Sequence, residues 1–451
     1  MKEKYSALPK AILVPFSYPD YPENVVARWL SKSQEMLEEL SCDFTITPVV
    51  KGREDALRVA ALIRQSKFDF ILALLLSWIE APNFIATLQE FFNFPLLLWT
   101  HTTWWEEGEQ LTLGAVPAAG VIRETLEEMG VRFEFVWGMP DRDSDSLKEK
   151  ISRFVRVACA IERLKRARVG LFGYFSMGMY TGGFDHIKVR RILGPEVVHL
   201  GQEYVVKEFQ RVDSKKARDL MKEVLRKWTI AKDVDKNSLL KAIRIYLGLK
   251  KLIQKHDLNA LTLKCQYELS REWGFAPCLP LSMLADEVTA SCEGDVPLVI
   301  SQLILNLLSG KVTGYGDVHD IMPDNSILLA ACGFAPLSFA EVRPQIKKHT
   351  ALYEGLLVSF PYREGRVTLC RLAPGNTGYK MHIATGKTQT PPHFHEVGCA
   401  PYALAKVKLD GSVEDFFQNL MSQHYAICYG DFKMELLSLC KFLHIKPVIC
   451  I

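Results

Sequence analysis

Over the first third of the chain, apolar residues come in short runs at 11–16, 44–50, 70–75 and 94–99, broken only in the second by Thr45 and Thr47. Between these runs, stretches such as 23–40 and 54–65 repeat their apolar positions at helical spacing. Runs of that length read as strands buried on both faces, and the intervening stretches read as amphipathic helices. Strands alternating with helices predict a parallel sheet covered on both sides. A long charged helix is predicted over 144–166, which closes a first α/β domain at 1–165.

A second alternating stretch starts at 169–173. It continues through a strand at 197–200, two helices between Lys215 and Lys255, and a strand at 260–264. The expected second α/β domain therefore covers 166–312. From about residue 311 the pattern changes to short segments rich in Thr, Val and Tyr and broken by Gly and Pro, at 356–360, 366–372 and 380–384. These predict a β-rich, barrel-like C-terminal domain over 313–451. The chain ends on a helix at 432–443 and a strand at 447–451. The predicted fold class is α/β, two Rossmann-like domains followed by a β-rich barrel, without internal repeats.

A chain of 451 residues is long enough for two or three cores. Hydrophobic residues make up 48% and charged residues 24%, the balance of an ordinary globular protein. A net charge of +3 gives no electrostatic footprint for nucleic acid or a membrane surface. The longest apolar run, 70–79, is about half of what a bilayer span needs, and no signal-peptide pattern opens the chain. Eleven cysteines without a C-x-x-C pair read as reduced core thiols, so the expected location is cytoplasmic. No strand leads into G-x-G-x-x-G, and neither G-x-x-x-x-G-K-[ST] nor G-x-S-x-G occurs, which excludes the common nucleotide sites and the hydrolase elbow.

Three polar positions in apolar surroundings stand out. Cys292-Glu293-Gly294-Asp295 precedes the apolar helix 298–308, where α/β sheets place ligands; the competing reading is Asp295 as a helix cap and Glu293 as a surface charge. Tyr315-Gly316-Asp317-Val318-His319-Asp320 offers carboxylates suited to a hard divalent cation, or else a polar turn favoured by Gly314 and Gly316. His424 stands in a half-apolar segment, as a ligand or a hydrogen-bonded core residue. A rival site is Pro391-Pro392-His393-Phe394-His395-Glu396, whose His-x-His would present both imidazoles on one face of a strand.

The order and surroundings of the first three resemble the L-fucose isomerase family and, more distantly, L-arabinose isomerase. In that family a Glu lies 24 residues before an Asp followed by Val; here 317 − 293 = 24, with Asp317-Val318. The family's N-H-x-x-x-x-x-G stretch is matched by Gln423-His424 with Gly430, and its S-M-G-M motif by Ser176-Met177-Gly178-Met179. The similarity runs from about residue 166 to the C-terminus. It implies a site between the last two domains, closed by a neighbouring subunit of a trimer or hexamer. It implies Mn²⁺, or another divalent cation such as Mg²⁺, held by Glu293, Asp317 and His424, with Glu293 and Asp317 as the catalytic acid/base pair. Gln266, Met179 and Trp105 are the implied substrate-binding residues, with Trp104 beside them able to stack on a sugar face. The implied reaction is aldose–ketose isomerisation of a free deoxyhexose or pentose through a cis-enediol. Departures at Gln423, Tyr425 and Asp431 are expected to alter the pocket wall. They leave open a non-catalytic sugar-binding or regulatory protein on the same fold, or a metal enzyme built on His393 and His395.

Overall fold

In the computed structural model, residues 8–349, 355–392 and 402–451 are described. His393 and His395 lie outside them. The chain divides into one compact unit ending at Glu162 and a second spanning Arg163–Ile451.

The first unit holds β1 (Lys10–Phe16), β2 (Asp43–Ile46), β3 (Phe70–Leu75), β4 (Leu96–Thr100), the two-stranded hairpin β5 (Trp104–Glu106) and β6 (Glu109–Leu111), and β7 (Phe133–Trp137). Its sheet has the order β2-β1-β3-β4-β7 and every pairing is parallel. All six side chains of β3 and all five of β4 are buried, because helices cover both faces. The helix Arg53–Gln65 shows how they do so: Ala56, Val59, Ala60 and Ile63 fall on one stripe and are buried, while charges face outward.

The second unit opens on another parallel sheet. Its strands are β8 (Arg168–Phe172), β9 (Glu196–Leu200), β11 (Ala260–Leu263) and β12 (Thr289–Cys292), in the order β12-β11-β8-β9. The two-residue strand β10 (Thr229–Ile230) stands apart from it. Next come β13 (Gly314–Met322), β14 (Ser326–Ala331), β15 (Gln345–Lys348), β16 (Leu356–Ser359), β17 (Gly365–Pro374), β18 (Tyr379–Gln389), β19 (Tyr402–Leu409), β20 (His424–Tyr429) and β21 (Lys446–Ile449). Six of them close on themselves as β17-β20-β13-β14-β19-β18, and β18 pairs back with β17. β21 joins the barrel in parallel beside β18. Closure removes the sheet edges that such short strands would otherwise expose.

Two expectations for the C-terminal part need correction. The segment 356–360 is β16, which belongs to a separate three-stranded sheet β10-β15-β16 rather than to the barrel. Residues 314–322, read as a turn-rich entry, form the barrel strand β13. The glycines there serve packing, not turning: a Cβ on Gly314 would lie 3.1 Å from Pro336 and Phe339, and one on Gly316 3.0 Å from Leu329. Between the parallel sheet and the barrel runs the helix Val296–Ser309, with twelve of its fourteen residues buried against β12, β17 and β20. Among the described residues, no helix is long and apolar enough to cross a membrane.

A buried imidazole makes the first unit sensitive to acid. His101 follows β4, shares a 2.9 Å hydrogen bond with Ser33 and packs on Trp29 and Trp99. Burial holds its pKa down at about 3. Neutral imidazole is therefore the folded form, so its contribution is complete above about pH 6.5 and is lost as pH falls toward 3, at about 1.4 kcal/mol per pH unit. Urea unfolding followed by tryptophan fluorescence between pH 7 and 5 should weaken less steeply in His101→Gln than in the parent. Equal slopes would remove His101 from the acid response.

Candidate active site

The sharp corner between β12 and the helix Val296–Ser309 carries the first acidic group. Glu293 and Gly294 both have left-handed backbone, at φ 67° and 68°. For a glutamate that conformation is strained, and the surroundings enforce it. The carbonyl of Glu293 accepts a 2.7 Å hydrogen bond from the Ser176 amide. Gly294 allows the approach, since a Cβ there would lie 2.2 Å from the Tyr174 carbonyl oxygen. The side chain of Glu293 is thereby held indoors, 7% exposed, and is not the surface charge of the competing reading.

Asp295 does cap the helix, accepting from the Leu298 amide through Oδ1 at 2.9 Å. Its other oxygen, Oδ2, accepts from Arg371 Nη1 at 2.7 Å and from His424 Nδ1 at 2.9 Å. Burial alone would raise the Asp295 carboxyl, but Arg371 and His424 hold it at about 2. The sequence reading found the cap and missed the rest, because Arg371, on β17, stands 76 residues away.

Asp317 and His424 are directly opposite on the paired antiparallel strands β13 and β20. This register puts both side chains on one face of the barrel wall. His424 Nε2 lies 3.0 Å from Asp317 Oδ1 and 3.5 Å from Glu293 Oε2. Residues from two strands and a helix corner thus meet at one ring nitrogen. Burial opposes a charge on His424, yet Asp317, Asp295 and Glu293 outweigh it and raise its pKa well above the ordinary value. Glu293 is pushed up to about 8, chiefly by burial and further by the neighbouring acids against the pull of His424.

Three carboxylates and one guanidinium give this cluster a formal charge of −3 + 1 = −2 with neutral imidazole. That is equal and opposite to a divalent cation. Asp317 Oδ1 is buried and accepts no well-aligned hydrogen bond despite its closeness to His424. With Nδ1–H donating to Asp295, Nε2 is the ring nitrogen that faces Glu293 and Asp317 and, once its proton is lost, the one free to bind a metal. The residues present fit a hard dication of the Mn²⁺ or Mg²⁺ kind.

Around this centre, Gln266 Nε2 reaches Glu293 Oε1 at 3.4 Å, and Gln423 Nε2 touches Met179 Sδ. The loop carrying Ser176–Met179 is fastened there by Arg371 Nη2 on the Thr181 carbonyl and by Thr181 with Ser422. Two expected pocket changes are elsewhere. Tyr425 points to the opposite face of β20, fully buried, with its hydroxyl on His382 Nδ1 at 2.6 Å. Asp431 lies beyond the far end of β20, roughly 20 Å along the strand from His424, and pairs with Arg366 at 2.6 Å. Of the three departures only Gln423 adjoins the cluster. Trp105 and Trp104 belong to the β5–β6 hairpin of the first unit. There Trp105 is 67% exposed and both line a cleft of about 450 Å³ with Arg28, Lys32 and Asp141.

No family model matches the chain. It is similar to the sulfoquinovose isomerases of Priestia aryabhattai and Priestia megaterium, each 24% identical over 450 residues, covering 96% of this chain and 98% of the relative. A sulfoquinovose isomerase from Alkalicoccus urumqiensis is 23% identical over 380 residues, covering 81% of this chain and 83% of its own. A solved ABC transporter solute binding protein from Burkholderia multivorans overlaps 68% of this chain and 95% of its own at 13% identity and a TM-score of 0.19, a likeness too slight to bear on the fold. Similarity along nearly the whole chain makes the protein an isomerase, an intramolecular oxidoreductase.

The buried ion pair between Arg371 and Asp295, 0% and 1% exposed, gives a test of the architecture. Arg371→Met should cost about 3–5 kcal/mol, because it leaves Asp295 charged and uncompensated. Adding Asp295→Asn should recover part of that loss. The comparison of urea midpoints across the two single variants and the double variant measures the coupling. Additive losses would show that the pair does not act as a unit.

Proposed function

We propose that the protein interconverts an aldose and its ketose, with Glu293 and Asp317 as acid/base pair at a site that takes Mn²⁺ or Mg²⁺ with His424. The observation that carries this reading is the convergence of Glu293 Oε2 and Asp317 Oδ1 on His424 Nε2, at 3.5 and 3.0 Å, with Glu293 and His424 buried and Asp317 partly exposed.

An aldose and its ketose differ by a proton moved between C2 and C1 through an enediol. One carboxylate takes the C2 proton while the other exchanges protons with the sugar oxygens, and a return to C1 completes the ketose. Glu293 suits the task because its buried carboxylate faces His424 and Asp317 across the cluster. Asp295 keeps the His424 ring oriented through Nδ1. Gln266, against Glu293, and Met179, against Gln423, are placed to meet the sugar. Lewis-acid stabilisation of the developing oxyanion is the chemistry a bound divalent ion supplies.

For the substrate, the relatives' name points to sulfoquinovose, a 6-deoxyhexose bearing a sulfonate at C6, ahead of fucose- or arabinose-type sugars. We further propose that the chain works as a homo-oligomer, which light scattering of the purified protein would measure.

Protein incubated with MnCl₂ in deuterated water and a panel of sulfoquinovose, L-fucose and L-arabinose should yield ketose and deuterium at C2, read by NMR. Chelation should abolish turnover and MnCl₂ restore it. Glu293→Gln and Asp317→Asn should each slow the reaction by at least ~10²-fold with the fold intact. Tight polyol binding without exchange or ketose on any sugar would replace this reading with a sugar-binding protein. Parent-level activity in either variant would take that residue out of the acid/base role.

A further inference from the structure

The sequence reading treats the cysteines as separate small core residues, yet the fold gathers several of them. Cys278 opens the helix Cys278–Ala285, Cys332 follows β14, and His349 follows β15. One donor atom from each, Sγ, Sγ and a ring nitrogen, lies within 4.8 Å of the others. Cys292, the last residue of β12, shares a 2.6 Å hydrogen bond through its thiol with the Tyr315 hydroxyl. Cys278, Cys292 and His349 are buried at 1%, 0% and 7%, and Cys332 is partly so.

The close approach is built into the backbone. Gly333, at φ 151°, lets the chain after Cys332 lie against Cys278: a Cβ there would be 3.2 Å from the Cys278 Cβ and 2.7 Å from that of Leu357. Hydrogen bonding among thiols contributes little, so gathering these residues from separate elements calls for a stronger purpose. Donors around a tetrahedral Zn²⁺, with Zn–S near 2.3 Å and Zn–N near 2.0–2.1 Å, stand about 3.5–3.8 Å apart. The observed cluster has nearly that spread already.

We propose that Cys278, Cys332 and His349 form a second metal site, soft and tetrahedral, that takes Zn²⁺ with solvent as the fourth ligand. It ties the helix Cys278–Ala285 and the ends of β14 and β15 into one knot. Cys332 Sγ is 4.0 Å from Glu293 Oε1, so the knot braces the corner that carries Glu293. The two neighbouring sites divide by chemistry: thiolate and imidazole select the d¹⁰ ion, carboxylates the hard one. Zn²⁺ binding sends the thiol protons to solvent. The soft site uses neither Asp317 nor His424, so it stands or falls apart from the isomerase reading.

The test is a titration of the apo protein, stripped by chelator under reducing conditions, with CoCl₂. One equivalent per chain should produce a thiolate-to-cobalt charge-transfer band and tetrahedral ligand-field bands, and ZnCl₂ should bleach both. Cys332→Ser and His349→Gln should lose or shift the charge-transfer band, whereas Asp317→Asn should keep it. Should Cys332→Ser fail to fold by circular dichroism, His349→Gln carries the comparison. No charge-transfer band in the parent at saturating cobalt would overturn the proposal. So would an unchanged band in the folded variants, or a Cys278–Cys332 disulfide in freshly isolated protein.

Discussion

Everything at the site is arranged around one buried carboxylate, Asp295. It caps the helix Val296–Ser309 by accepting from the Leu298 amide. It neutralises Arg371 on the barrel wall and fixes the ring of His424 on β20. An uncompensated buried charge costs several kcal/mol, so none of these partners can leave without penalty to the others. The helix dipole adds to the hold, since the carboxylate sits at its positive end. One side chain therefore sets the position of the barrel against the parallel sheet, and the site lies at that junction.

This arrangement explains why Glu293 can be strained and buried. Its left-handed backbone is held between the end of β12 and a capped helix that cannot shift, and Ser176 grips its carbonyl. A strained residue persists only where surroundings over-determine it. The result is that the carboxyl leaves solvent, its pKa rises, and it faces an imidazole carried by a different element.

Much of this was legible in the chain, and what was not has physical reasons. Unbroken apolar runs marked β1, β3 and β4 well, because strands buried on both faces cannot carry polar residues. The run 314–322 misled, because glycine in a strand and glycine in a turn look alike until a neighbour such as Leu329 shows why no side chain fits. Glu293, Asp317 and His424 were reachable only as a spaced set, since each alone had an ordinary explanation. Arg371 left no signal, because an arginine in a strand reads as an exposed one until its partner is known. The partners of Asp295 lie 76 and 129 residues away, and no local pattern encodes them.

The same strand periodicity separates the substitutions that bear on substrate from those that do not. Asp317 and His424 face the cluster, so residues one position along β20 turn the other way. Tyr425 does so and spends its hydroxyl on His382 within the second unit's core. Asp431 is tied to Arg366 at the opposite end of the strand. Neither residue touches the side chains around His424, so neither discriminates among sugars by contact. Gln423 differs: it precedes β20 and meets Met179 from the Ser176–Met179 loop. That loop is also held by Arg371 through Thr181, and Arg371 is fixed by Asp295. Gln423, Met179 and the His424 imidazole are thus mechanically linked through Arg371 and Asp295. A change that loosens Asp295 moves the residues proposed to meet the sugar as well as the imidazole proposed to hold the metal.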